Sequence, residues 1–170
     1  VEGGQGRRVS PGDGVQPQWS PHGYRIAYQT RIGSTSQMDI VTIPAGGGEP
    51  AAATKDAATD WSATWSPDGR WLYFVSDRGG SMNLWRVPLN EESGKPTGEP
   101  EAITTPATYL AHPSISGDGK RIAYVNKLET QNIQKISFDP VTEKVTGEPD
   151  WITTGSRLWS SCDVTADGQW

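Results

Sequence analysis

One short phrase recurs four times along this chain. It reads Trp19-Ser20-Pro21-His22-Gly23, then Trp65-Ser66-Pro67-Asp68-Gly69, then Ile115-Ser116-Gly117-Asp118-Gly119, and last Val164-Thr165-Ala166-Asp167-Gly168. The final glycines stand 46, 50 and 49 residues apart. A fixed period of roughly 20–50 residues is the mark of a repeat architecture. The fourth copy stops at Gln169-Trp170 in mid-repeat, so the spacing predicts that this is a fragment of a longer repeat array.

Aligning the copies on their glycines shows what each repeat is made of. Three residues after the glycine stands Ile26, Leu72 or Ile122, and two further on stands Tyr28, Phe74 or Tyr124. Apolar residues at alternate positions are the period-2 signature of a strand. The run ending in Trp19, Trp65, Ile115 or Val164 is a second strand. Between the two lies Ser-Pro-Asp-Gly or a variant of it. Pro fixes φ, Asp bonds the backbone ahead of it, and Gly takes positive φ without steric cost. Each phrase therefore predicts a hairpin, strand A followed by strand B.

Strand C is expected at 39–43, 83–87 and 132–136, and strand D at 49–54, 99–104 and 148–153. From Ala53, Ile103 and Ile152 the next glycine lies 16 residues on each time, which fixes the alignment. A single four-stranded meander cannot bury both of its apolar faces, whereas stacked neighbours can; radial repetition of such sheets makes a β-propeller. The fold class expected is all-β, a partial β-propeller that does not close. It has about three complete four-stranded antiparallel blades plus a single flanking strand at each end. The expected boundaries are 1–14 for the last strand of a preceding blade (Arg8-Val9-Ser10) and its linker, 15–56 for blade 1, 57–106 for blade 2, 107–155 for blade 3, and 156–170 for the first strand of a truncated blade 4. Open ends expose unpaired strand edges and apolar faces, so the isolated piece is expected to dimerise or aggregate.

Composition narrows the functional classes. The net charge of −5 argues against a general nucleic-acid or anionic-membrane surface. No apolar run reaches the roughly 18–20 residues needed to span a bilayer, so no direct membrane insertion is expected. The single cysteine, Cys162, permits neither an internal disulfide nor a clustered-Cys zinc site. No Gly-x-Ser-x-Gly elbow is present, and the glycine clusters open no helix, so neither a hydrolase nucleophile nor a phosphate cradle is expected. No catalytic residue, metal or cofactor is predicted.

Copy two, with Leu72-Tyr73-Phe74-Val75-Ser76-Asp77-Arg78-Gly79-Gly80 and Asn83-Leu84-Trp85-Arg86-Val87 after its turn, closely resembles the WD-like propeller repeat of TolB-type proteins. Copies one and three resemble it well. Copy one has His22 in the Asp place, and copy three lacks the Trp and Pro. The loops 91–100 and 139–149 resemble more loosely those of propellers attached to bacterial sensor kinases and transcription regulators. The resemblance implies a non-catalytic propeller used for protein or ligand contacts, commonly periplasmic. The same repeat type also occurs in the gating propellers of prolyl-oligopeptidase-like serine peptidases, which is the alternative it leaves open.

Repetition itself separates structural from functional residues. Gly23, Asp68, Gly69, Asp118, Gly119, Asp167 and Gly168 recur by column and are expected to shape the turns, with His22 a turn residue too. Binding is expected where the copies differ, on the face shared by the B–C and D–A loops. That face should carry Trp61, Arg78, Tyr109, His112, Arg157 and Trp159, aromatic and basic side chains of the kind that form binding hot spots. Packing between blades is the competing role for Trp61 and Trp159. His112 occupies the column of Gln16, Ser62 and Ser161. The expected partner is another protein or a peptide, the remaining blades of a parent chain, or a second copy meeting the open ends; nucleic acid is not expected.

Overall fold

The computed structural model describes residues 5–31, 33, 37–103, 109–126, 131–154, 159 and 162–163. The chain divides into two compact units, Val1–Lys127 and Leu128–Trp170. The first unit holds a four-stranded antiparallel sheet in sequential order, made of β1 (Val15–Trp19), β2 (Arg25–Arg31), β3 (Met38–Pro44) and β4 (Ala51–Ala52). A second meander follows with β5 (Asp60–Trp65), β6 (Trp71–Ser76) and β7 (Asn83–Asn90). Its edge is doubled: β8 (Lys95–Pro96) pairs with the far end of β7, and β9 (Glu101–Ala102) pairs with its middle. The hairpin of β10 (Leu110–Ile115) and β11 (Ile122–Asn126) completes this unit. The second unit holds the hairpin of β12 (Gln134–Asp139) and β13 (Lys144–Trp151). The described residues are all-β, and no sheet closes on itself.

The alternation along β6 and β7 shows why the sheets stack. Leu72 and Phe74 on β6, with Val87 and Leu89 on β7, join Ala27, Ile40, Ala63 and Trp65 in one core between the first and second sheets. The intervening Val75 and Leu84 join Leu110 in a second core, with Tyr73, Trp61 and Ile122 packed against it. The second sheet is therefore apolar on both faces because both are covered. Full burial of each such side chain is worth about 1.5–3 kcal/mol.

The A–B turns share one hydrogen-bond device. Ser66 Oγ donates to Asp68 Oδ1 at 2.6 Å and accepts from the Trp71 amide at 2.9 Å. Asp68 Oδ1 also accepts from the Arg70 amide. Ser116, Asp118, Lys120 and Arg121 repeat the arrangement. Gly23, Gly69 and Gly119 close these turns at φ of 76°, 69° and 70°. In the first turn Ser20 Oγ accepts from the Arg25 amide at 3.0 Å, but His22 stands where the carboxylate should be. Glu91, from the β7–β8 turn of the next repeat, takes its place. Its carboxylate accepts from the His22 amide at 3.0 Å, lies 2.6 Å from His22 Nδ1, and bonds the Ser20 side chain. The same turn seats Gly94 at φ 70° against Arg25 and Thr42, where a Cβ would collide with both side chains. Thr42 Oγ1 donates to the Gly94 carbonyl at 3.1 Å.

Arg8-Val9-Ser10 pairs with no described strand. The Arg8 guanidinium bonds the carbonyls of Ser10 and Gly12, and Ser10 Oγ bonds Gly12 as well, so local side chains take acceptors that a strand would offer a neighbour. Of the third repeat, the first unit holds the hairpin β10–β11 and the second unit holds the hairpin β12–β13. The fourth-copy residues Asp167 and Gly168 lie outside the described residues.

Candidate functional site

Each inner strand of the first unit carries the same backbone irregularity. Gln16, Ser62 and His112, seven residues before their respective glycines, lie at φ of 53°, 52° and 50°. These are three of the four described non-glycine residues with positive φ. The pairing register of β1 with β2 slips between Val15 and Gln18, that of β5 with β6 between Trp61 and Thr64, and that of β10 with β11 between Ala111 and Ser114. This is a β-bulge, which re-aims a side chain out of the sheet's alternation. A left-handed non-glycine residue costs of order 1–3 kcal/mol and persists only where its surroundings hold it. Here the same column holds it in three repeats.

The bulges bring their side chains together. Ser62 Oγ donates to Gln16 Oε1 at 3.1 Å, and the Ser62 amide donates to Gln29 Oε1 at 2.7 Å. Gln16 Nε2 lies 3.5 Å from His112 Nδ1, at the limit of a hydrogen bond. One polar chain thus crosses three repeats. Ser62 is buried, while Gln16 and His112 are exposed. A serine and a histidine are both present, yet the Ser62 proton is directed to an amide oxygen, not to the imidazole. An amide is not a base, so this arrangement does not activate the hydroxyl. The exposed groups of this chain are the Gln16 carboxamide and the His112 imidazole.

The residues expected at this face have distinct surroundings. The Tyr109 ring centroid lies 5.7 Å from that of Trp61, tilted by 51°. Trp61 is half-buried against the second core, and its indole N–H is buried without a hydrogen-bond partner among the described residues. Arg78 is largely buried over the faces of Phe74 and Trp85, at 5.0 and 5.4 Å. Its Nη2 donates to both Asp60 oxygens, at 3.0 and 2.9 Å, and lies 3.2 Å from Asp56. His112 joins the polar chain. Trp159, in the second unit, is 38% exposed and donates its amide to the Gln131 carbonyl. Arg157 and Ser161 lie outside the described residues. Gln16, Ser62 and Gln29 were not among the expected binding residues. The signal for two of them was the column itself, polar in every copy within a strand that should alternate.

The hydroxyl of Ser66 holds the Asp68 carboxyl down at about 2, and that of Ser116 lowers Asp118.

Known proteins place this chain. An uncharacterized protein of Agrobacterium fabrum is 36% identical over 103 residues, covering 59% of this chain and 32% of its own length. An uncharacterized peptidase of Bacillus subtilis is 30% identical over 140 residues, covering 75% of this chain and 20% of its own length. The chain thus spans a third or less of these relatives. The structure of a putative TolB from Agrobacterium tumefaciens superposes with a TM-score of 0.60 at 25% identity, over 79% of this chain and 48% of that one. Residues 2–157 match the TolB beta propeller domain, and the chain belongs to that family.

Proposed function

We propose that this chain is a non-catalytic binding portion of a larger propeller, and that it meets a protein or peptide partner at the loop face. The observation that carries this reading is the alignment of three bulged residues, Gln16, Ser62 and His112, into one polar chain beside Tyr109. Strained, recurring backbone that gathers polar side chains on a rigid scaffold is characteristic of recognition sites. Within this reading the blades run 15–56, 57–106 and 107–155, flanked by 1–14 and 156–170, and the protein works outside the cytoplasm, as the family resemblance implies.

Site-specific photo-crosslinking in the full-length parent, in its own cells, tests the face. A crosslinker replacing Gln16, Tyr109 or His112 should give one discrete protein adduct. The same crosslinker at Lys120, in an A–B turn at the other end of the strands, should give none. Equal adducts at both ends, or none at the loop face, would overturn the assignment.

The 30% identity to the Bacillus subtilis peptidase favours a second reading, in which the propeller gates a hydrolase domain elsewhere in the parent. A Gly-x-Ser-x-Gly motif in the parent reading frame, with peptide hydrolysis lost on changing its serine, would establish that reading.

A further inference from the structure

The seam between the first two sheets buries more acid than it can pair. Asp60, at the start of β5, is 0% exposed, and Asp39, in β3, is 3% exposed. Arg78 is bound to Asp60 and Asp56, as described above. Ser76 and Thr54 also bond the Asp60 carboxylate. Asp60 is therefore the seam's satisfied anion. Asp39 is not: Gln37 bonds its carboxyl, but Oδ1 is buried and accepts no hydrogen bond from the described residues.

The repeats show what belongs at this position. Ile40 and Ile133 each donate their amide to a threonine hydroxyl, Thr54 and Thr153, at 2.9 Å. Each also accepts that threonine's amide on its carbonyl, and Leu84 O accepts from Ile103 in the second repeat. The residue just before Ile40, Leu84 and Ile133 is Asp39, Asn83 and Asn132. Two copies use a neutral amide. In the third, Thr153 Oγ1 donates to Asn132 Oδ1 at 3.2 Å. In the first, the Thr54 hydroxyl is turned to Asp60, and Oδ1 of Asp39 has no donor among the described residues.

We propose that Asp39, whose column holds a neutral asparagine in the other two copies, is protonated when the seam between the first two sheets is closed, and that its ionisation loosens that seam. The groups facing it are Asp60 from β5, Asp56 from the loop after β4, and Arg78 from the β6–β7 loop; on β2 its register partner is the uncharged Thr30. Burial, then the charges of Asp60 and Asp56, pushes its pKa up to about 6. A raised acid pKa means the folded chain binds the proton more tightly than the unfolded one. The contribution is then fully present below about pH 4, and it fades as pH rises through about 6.

The test compares the full chain with Asp39→Asn by thermal melting between pH 4 and 8, alongside hydrogen exchange of the Ile40 and Ser62 amides corrected for intrinsic rate. The two proteins should melt together at pH 4. By pH 8 Asp39→Asn should melt several degrees higher, and only the parent's seam amides should open up to about a hundredfold more often than at acid pH. Carbon-13 titration of Asp39 in the unmodified chain gives an answer even if the variant fails to fold. A carboxyl midpoint near 4, or parallel melting curves, would overturn the proposal.

Discussion

Among single residues, Glu91 most clearly does the work of another. A buried serine hydroxyl and a turn amide need a carboxylate, and repeats two and three supply it in cis with Asp68 and Asp118. Repeat one supplies it from its neighbour. Burial raises the Glu91 pKa, but bonds from His22 and Ser20 outweigh this and leave it lowered. Its contribution should be present above the ordinary carboxylate range and fade as pH falls through its depressed value. Urea unfolding should show Glu91→Ala costing about 1–3 kcal/mol, the cost of stranding these donors. In a His22→Asp background the cis carboxylate returns, and the same change should cost less than half as much; additive costs would show that Glu91 acts otherwise. His22 was read correctly as a turn residue. Its partner was hidden because it lies 69 positions away, where no local pattern points to it.

At the level of elements, the bulge of the inner strand governs where the site residues point. Ser62→Val should destabilise by about 1–3 kcal/mol, because a β-branched residue tolerates φ of 52° poorly. Ser62→Gly should cost less than about 1 kcal/mol, since relief of the backbone offsets the lost bond to Gln16. Chemical denaturation of the two variants compares them directly, and equal costs would mean the backbone there is unstrained. Strands B and C were legible because Leu72, Phe74 and their counterparts alternate in plain view. The bulges were not, since Gln, Ser and His do not advertise positive φ as glycine does. Trp61 was ambiguous for a related reason: beside a bulge, alternation no longer tells which side of the strand a ring will take. The two-residue strand β8 was also unforeseen, because the loop containing it has no period of its own.

Across the whole molecule, the buried side chains Leu72, Phe74, Val75 and Leu84 fill the seams of the first unit. Phe74 is fully buried between the first two sheets, and the Arg78 guanidinium rests over its ring. Phe74→Ala should cost about 3–5 kcal/mol in guanidinium unfolding, and a cost below about 1 kcal/mol would show that the seam contributes little. The repeat period made stacked antiparallel sheets legible, together with membership of the TolB beta propeller family. It did not reveal what differs from seam to seam, because such differences lie in single departures from the repeat, such as His22 and Asp39.

The carboxylate that Glu91 lends across a seam has a consequence for how this chain can change. In a repeat protein each copy contacts only its neighbours, so a copy can be lost or exchanged without harm only while each is self-sufficient. Here the first copy is not. Removing the second repeat, or exchanging it for the third, would leave the turn at Ser20 and His22 without its acceptor. Any other order of these two copies carries the cost of the stranded turn, unless an aspartate is restored at position 22.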